Sequence, residues 1–243
     1  MKSQRLLTLI AGCLFVFAAG PAAAAKYKVV SVTDGGSISG RVTLNGPAPA
    51  PEILKVDEDV EACGGDRPSD ELLVSGGGGI QNVVVRIENI DSGKDWDMPA
   101  TEFTYDQKKC SFTPRVIVIR PNMAGAVLNS DGVGHNFHTI SKGVFNINKK
   151  IQPGSSLAVS DKKIRKSGLV NTKCDIHSWM GGAWWVAENP YTVLSDADGN
   201  FTMSNVPPGK YKIAIWHEKL GESTQEVEVG AGADTKLDIV LKP

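Results

Sequence analysis

The segment Cys174-Asp175-Ile176-His177-Ser178-Trp179-Met180 sets a thiolate, an imidazole and a thioether three residues apart from one to the next. Upstream, His135-Asn136 offers a second imidazole. One Cys, two His and a weak Met are the donors of a mononuclear copper site of the electron-transfer kind. Structural zinc sites close their tetrahedron with thiolates and imidazoles rather than a thioether, so this donor set favours copper over zinc.

Three donors in seven residues converge only if the chain turns between them. On a strand, residues 174 and 180 would face one way and residue 177 the other. The segment is therefore expected to be a loop between the β-prone runs at 169–173 and 183–186, with Gly181-Gly182 supplying freedom for the return. A further ligand must come from another strand. His135 ends the polar, glycine-containing run 129–134 and is the preferred candidate. His138, three residues on, should face the opposite side of an extended segment, and it stands as the alternative or additional ligand. Asn136 is placed to bridge the two ligand loops and orient them.

The run from Gly168 to Val186, with Cys-x2-His-x2-Met followed by Gly, resembles the ligand loop of the cupredoxins, the amicyanin and plastocyanin type. His135-Asn136 resembles their first-ligand pair, and Phe112-Thr113-Pro114 is similar to the Phe-x-Pro strand of that family. The resemblance spans residues 101–189 and implies a single type 1 (blue) copper site with His135, Cys174, His177 and Met180 as ligands. It also implies a Greek-key β-barrel and single-electron transfer to a redox partner protein through an exposed His177 loop. Trp179, Trp184 and Trp185 could add an apolar docking patch, or else lie in the core. His138 departs from the simplest members of the family.

The remainder also reads as β-structure, giving an all-β fold class. Helical periodicity is absent, and short β-branched runs alternate with Gly- and Pro-rich turns. Ser195-Asp196-Ala197-Asp198-Gly199-Asn200 and Val206-Pro207-Pro208-Gly209 place two turns between strands. Together they resemble the carboxypeptidase regulatory-like, transthyretin-related β-sandwich, a non-catalytic module, and Gly40-x-Val42 is similar to its opening strand. The expected organisation is a signal peptide at 1–25, a discontinuous small β-sandwich from 36–90 and 190–243, and the cupredoxin domain inserted at 91–189. A single helical turn is expected within 57–61.

A basic start at 1–5, an apolar stretch at 6–19 and Ala22-Ala23-Ala24-Ala25 predict a cleaved secretory signal, hence a periplasmic or secreted protein. A lipobox-like Cys13 is the less favoured alternative, and no apolar run is long enough to span a membrane. Cleavage leaves three of the four cysteines, an odd number. With Cys174 reserved for metal, Cys63 and Cys110 can form a disulfide in an oxidising compartment.

Other motifs are discounted. Asp196-x-Asp198-x-Asn200 begins like a calcium loop but meets Pro207 where the acidic ligand belongs. His217 reads as a packing or surface residue. Gly76–Gly79 lacks the Lys-Ser/Thr of a phosphate loop. The formal net charge is −1, and no arginine stripe points to nucleic acid. The basic run 162–166 is a solvated loop that could steer an acidic partner. Four histidines cannot furnish a second catalytic copper cluster, so no enzyme is expected. Copper storage or delivery, and an envelope structural protein with a stabilising metal, are the alternatives.

Overall fold

Two antiparallel-rich sheets from the middle of the chain face one another around Trp184 in the computed structural model, which describes residues 27–97 and 102–243. The expected signal peptide and cleavage site, and Cys13, lie outside the described residues. The first sheet runs, edge to edge, Ser156–Val159, Ala124–Asn129, Glu102–Gln107 and Phe112–Thr113. The second runs Asn148–Ile151, His135–Ser141, Gly168–Lys173, Gly181–Val186 and Val116–Ile119. Alternation drives the packing. In His135–Ser141, residues 135, 137 and 139 are buried while 136 and 138 face out. Tyr105, Phe112, Phe137, Phe145 and Trp184 fill the space between the sheets, with ring centroids 4.9–6.2 Å apart where Phe103 joins them. Such edge-on and offset aromatic pairs contribute beyond the area they bury.

A second sandwich is assembled from both ends of the chain. Gly36–Leu44 pairs with Asn200–Val206, Asp234–Lys236 and Ile239–Leu241. Val84–Ile87 pairs with Thr192–Leu194 and with Gly209–His217, which forms a long hairpin with Gly221–Val229. Ile38, Val42, Ile80, Val85, Ile213, Ile215 and Ile239 form its separate core. Among the described residues the fold is all-β apart from one short helix, Val60–Cys63, offset by a few residues from the expected helical turn.

Two features join the sandwiches. Val84, Val116, Ala183, Trp185, Ala187 and Trp216 form a third buried cluster between them, with the two indoles 5.7 Å apart. Arg115 adds an ion-pair hub: its Nε donates to Glu218 Oε1 at 2.6 Å, its Nη2 to Glu218 Oε2 at 2.9 Å, and its Nη1 to Asp70. Two stretches depart from the expected layout. Residues 92–94, expected in the cupredoxin domain, lie against the second sandwich, where the Lys94 N–H donates to Tyr191 Oη at 3.0 Å. The other stretch is residues 53–68. They fall inside the range assigned to the second sandwich, yet Leu54, Val56 and Cys63 pack in the first core. The physical reason is covalent: Cys63 is bonded to Cys110, 47 residues away on the first sandwich.

Candidate metal centre

The strand pair Gly168–Lys173 and Gly181–Val186 ends at the Lys173–Gly181 pair, and the seven intervening residues form the loop that the donor spacing requires. Its backbone is closed internally. Cys174 N–H donates to the Met180 carbonyl at 3.2 Å, and Met180 N–H donates to the His177 carbonyl at 3.0 Å. The return strand needs glycine at 182, because a Cβ there would lie 2.3 Å from Tyr105 Oη and 2.6 Å from the Arg115 carbonyl.

Within this frame His135, Cys174 and His177 come together, their donor atoms all within 4.8 Å of one another. The two Nδ1 atoms are 2.8 Å apart, and His177 Nδ1 is 3.8 Å from Cys174 Sγ. All three residues are buried, both imidazoles at 0% exposure. Cys174 Sγ accepts the backbone N–H of Asn136 at 3.2 Å and of His177 at 3.4 Å. Met180 is buried in the same core cluster. A second grouping, Cys110 with Asp131 and His135, offers no thiolate because Cys110 is in the disulfide.

Each imidazole is held from behind by a carboxylate. His135 Nε2 lies 2.8 Å from Asp131 Oδ2, and His177 Nε2 lies 2.9 Å from Asp59 Oδ2. A neutral imidazole donating from Nε2 presents a lone pair at Nδ1. Two such lone pairs facing each other at 2.8 Å beside a sulfur repel unless a shared proton or a metal ion lies between them. The donor set fits a soft or borderline metal ion, and copper is an ion that a thiolate and two imidazoles suit. Burial pushes the His135 imidazole below its usual range, which favours the neutral ring a metal needs, and Asp131 partly offsets this.

Asn136 spans the two ligand segments: its Oδ1 accepts the Asp175 N–H at 3.3 Å, and its N–H points at Cys174 Sγ. His138 lies on the opposite face of its strand from His135, with Nδ1 2.9 Å from both carboxylate oxygens of Asp175. Hydrogen bonds from Lys173 and His138 hold the Asp175 carboxyl well below the usual carboxylate range. His138 thus belongs to a surface ion-pair group and not to the cluster.

One expectation is overturned, and the alternative left open for the tryptophans is decided in favour of the core. His177 is not exposed: the segment carrying Asp59 covers its outward nitrogen. Nor do Trp179, Trp184 and Trp185 form a surface patch, since all three are less than 10% exposed. Trp179 packs 5.1 Å from the His177 ring and donates through Nε1 to the Cys110 carbonyl at 3.1 Å. Trp184 fills the first core and Trp185 the junction.

The discounted motifs behave as local structure. Asp196 Oδ1 accepts the N–H groups of Asp198 and Asn200 at 2.9 and 2.8 Å, a side-chain-closed turn. His217 is buried, its Nδ1 accepting the N–H groups of Lys219 and Leu220. In the run 162–166, Ile164 is buried and anchors four exposed basic residues.

Sequence reasoning missed both carboxylates. Asp131 had a faint signal, four residues before His135 in a polar loop. Asp59 had none, being 118 residues from His177.

Residues 186–242 match the sequence model of the carboxypeptidase regulatory-like domain. No curated protein matches the chain. Among solved structures, the chain is similar to a Cu-containing nitrite reductase (NirK) from Thermus scotoductus SA-01, at 22% identity and TM-score 0.33, over 36% of this chain and 23% of that one. It therefore spans less than a quarter of that reductase's length. Amicyanin from Paracoccus versutus (Thiobacillus versutus) is similar at 18% identity and TM-score 0.32, over 37% of this chain and 86% of that one. A purple cupredoxin from Nitrosopumilus maritimus is similar at 21% identity and TM-score 0.27, over 31% and 81%.

Proposed function

We propose that this protein is an exported carrier that binds one copper ion at His135, Cys174 and His177, with Met180 as a fourth, weak donor, and relays single electrons. The observation that carries this reading is the facing pair of Nδ1 atoms, 2.8 Å apart beside Cys174 Sγ, each ring held from behind by a carboxylate. Copper, when bound, would supply a one-electron couple between Cu(I) and Cu(II).

The chain's own part is preorganisation. Asp131 and Asp59 fix the tautomer of each ring, two backbone N–H groups position the sulfur, and burial keeps water out. Donors fixed in this way have little room to rearrange between two charge states, which suits electron transfer. The same burial leaves no approach for a substrate to the donor atoms, so we read a carrier and not a catalyst. The Cys63–Cys110 disulfide suits an oxidising compartment, consistent with export to the periplasm or beyond. Among the described residues no helix is long and apolar enough to cross a membrane. A redox partner protein would meet the ligand loop at Asp175, Ile176 and Ser178, which are exposed, rather than at His177. We assign no nucleic-acid partner.

Copper storage or delivery is the second reading, and the complete burial of both imidazoles favours it. Titrating the metal-free protein with Cu(II) tests the first reading. An intense visible sulfur-to-copper band, reaching its plateau at one equivalent and lost in Cys174→Ser, supports it; a colourless complex refutes it. Fast electron exchange with a small redox dye separates relay from storage.

A further inference from the structure

Asp59 reaches the centre from a segment that belongs to neither large sandwich sheet. This segment is a short strand pair, Ile53–Leu54 with Arg67–Pro68, enclosing the helix Val60–Cys63. Four observations show that it is built onto the centre. Asp59 occupies the position before the helix in the left-handed region, at φ 48°, a conformation that Asp and Asn tolerate better than other side chains. Its carboxylate makes no cap bond to that helix and lies instead 2.9 Å from His177 Nε2. Four residues on, Cys63 ties the segment to Cys110. Beyond the helix, Arg67 donates to the carbonyls of Lys109 and Cys110 at 2.7 and 2.8 Å and lies 5.9 Å over the Trp179 ring.

The Lys109–Cys110 turn is therefore a junction. The Cys110 N–H donates at 2.8 Å to Asp131 Oδ2, the atom that holds His135, while the Cys110 carbonyl accepts from Trp179 of the ligand loop. The disulfide thus ties the segment that carries Asp59 to the turn whose N–H holds Asp131, so both carboxylates behind the imidazoles meet at one junction. Asp59 itself is 42% exposed, so water meets the carboxylate while the ring behind it is sealed.

We propose that Asp59 is a positioning residue of the metal centre, locked in place by the Cys63–Cys110 disulfide, and that this segment closes the His177 side of the centre. The inference rests on the copper reading above. The carboxylate holds the proton at His177 Nε2, which leaves Nδ1 as the donor facing Cys174 and His135. It also fixes the orientation of the ring, as partners behind metal-bound histidines do.

The test uses copper alone as the probe, in competition with a chelator, on wild type, Asp59→Asn, Asp59→Ala and the double variant Cys63→Ser/Cys110→Ser. Asn keeps the size and the left-handed tolerance and removes only the charge. Copper affinity is expected to fall in the order wild type, Asp59→Asn, Asp59→Ala, with a total loss of about 10- to 100-fold. The visible band should shift, and the double variant should weaken binding in the same direction. A solely structural Asp59 would lower the melting temperature of metal-free protein and leave the affinity and the band of the folded protein unchanged, which overturns the proposal. Copper uptake alike in wild type and every variant overturns it too and leaves the centre standing. Wild-type protein that takes up no copper overturns the centre itself.

Discussion

Arg115→Met tests how the two sandwiches are joined. The guanidinium side chain is 9% exposed and that of Glu218 18%, and the pair is bidentate at 2.6 and 2.9 Å. Removing one partner of a buried pair costs about 3–5 kcal/mol, because the other charge is left without compensation. Asp70 and Glu71, each more than 40% exposed, regain water, so the lower end applies and about 3 kcal/mol is expected. In a chain of this size that lowers the melting temperature by about 6–12 °C. Burial already pushes the Glu218 carboxyl up, and Arg115 holds it back. Without Arg115 the folded-state value rises further above that of the unfolded chain. The deficit is then full at neutral pH and shrinks as pH falls through the raised value, because the folded state takes up the proton first. Denaturant unfolding of wild type, Arg115→Met, Glu218→Gln and the double variant would measure these terms. The double variant should lose less than Arg115→Met alone. An Arg115→Met change within about 0.5 kcal/mol of wild type, as for a surface site, would refute the reasoning. A double variant whose loss equals the sum of the singles would refute it as well.

Other consequences follow from the same geometry. Opening the Cys63–Cys110 bond, which closes 47 residues, should destabilise the metal-free protein by about 4 kcal/mol on the loop-entropy account, measured by denaturation with and without a dithiol reductant. Burial lowers His217 to about 4, with Arg115 adding to the effect. Stability held above the unfolded-state value of about 6.5 should therefore be lost as pH falls toward 4, by up to about 3 kcal/mol, and His217→Gln should flatten that part of the profile. Gly182→Ala places a methyl group against Tyr105 Oη and the Arg115 carbonyl. It should cost about 1–3 kcal/mol and weaken copper binding by displacing the ligand hairpin, both readable on one protein preparation.

The donor triad was legible because its residues are local or strand-periodic. The spacing of Cys174, His177 and Met180 between two β-prone runs demanded a loop, and the alternation of His135–Ser141 separates His135 from His138. The all-β character was legible in the same way, from turn residues and β-branched runs. Cysteine parity pointed to Cys63–Cys110, which the structure contains. What escaped depended on long-range packing. Residues 53–68 carry little periodicity of their own, and the disulfide pulls them off one sandwich onto the other, where Asp59 covers His177. The expected exposure of His177 failed for that reason. The three tryptophans were ambiguous in sequence because an apolar ring serves a core or a surface patch equally, and only the packing of the sheets assigns them.

A crystal structure of the copper-loaded protein, with anomalous scattering recorded at the copper edge, tests the central claim most directly. The account predicts one copper peak bonded to Cys174 Sγ and to the Nδ1 atoms of His135 and His177, with Asp131 and Asp59 still on the far nitrogens. A peak at His138, coordination through either Nε2, or a copper without a sulfur neighbour would contradict it.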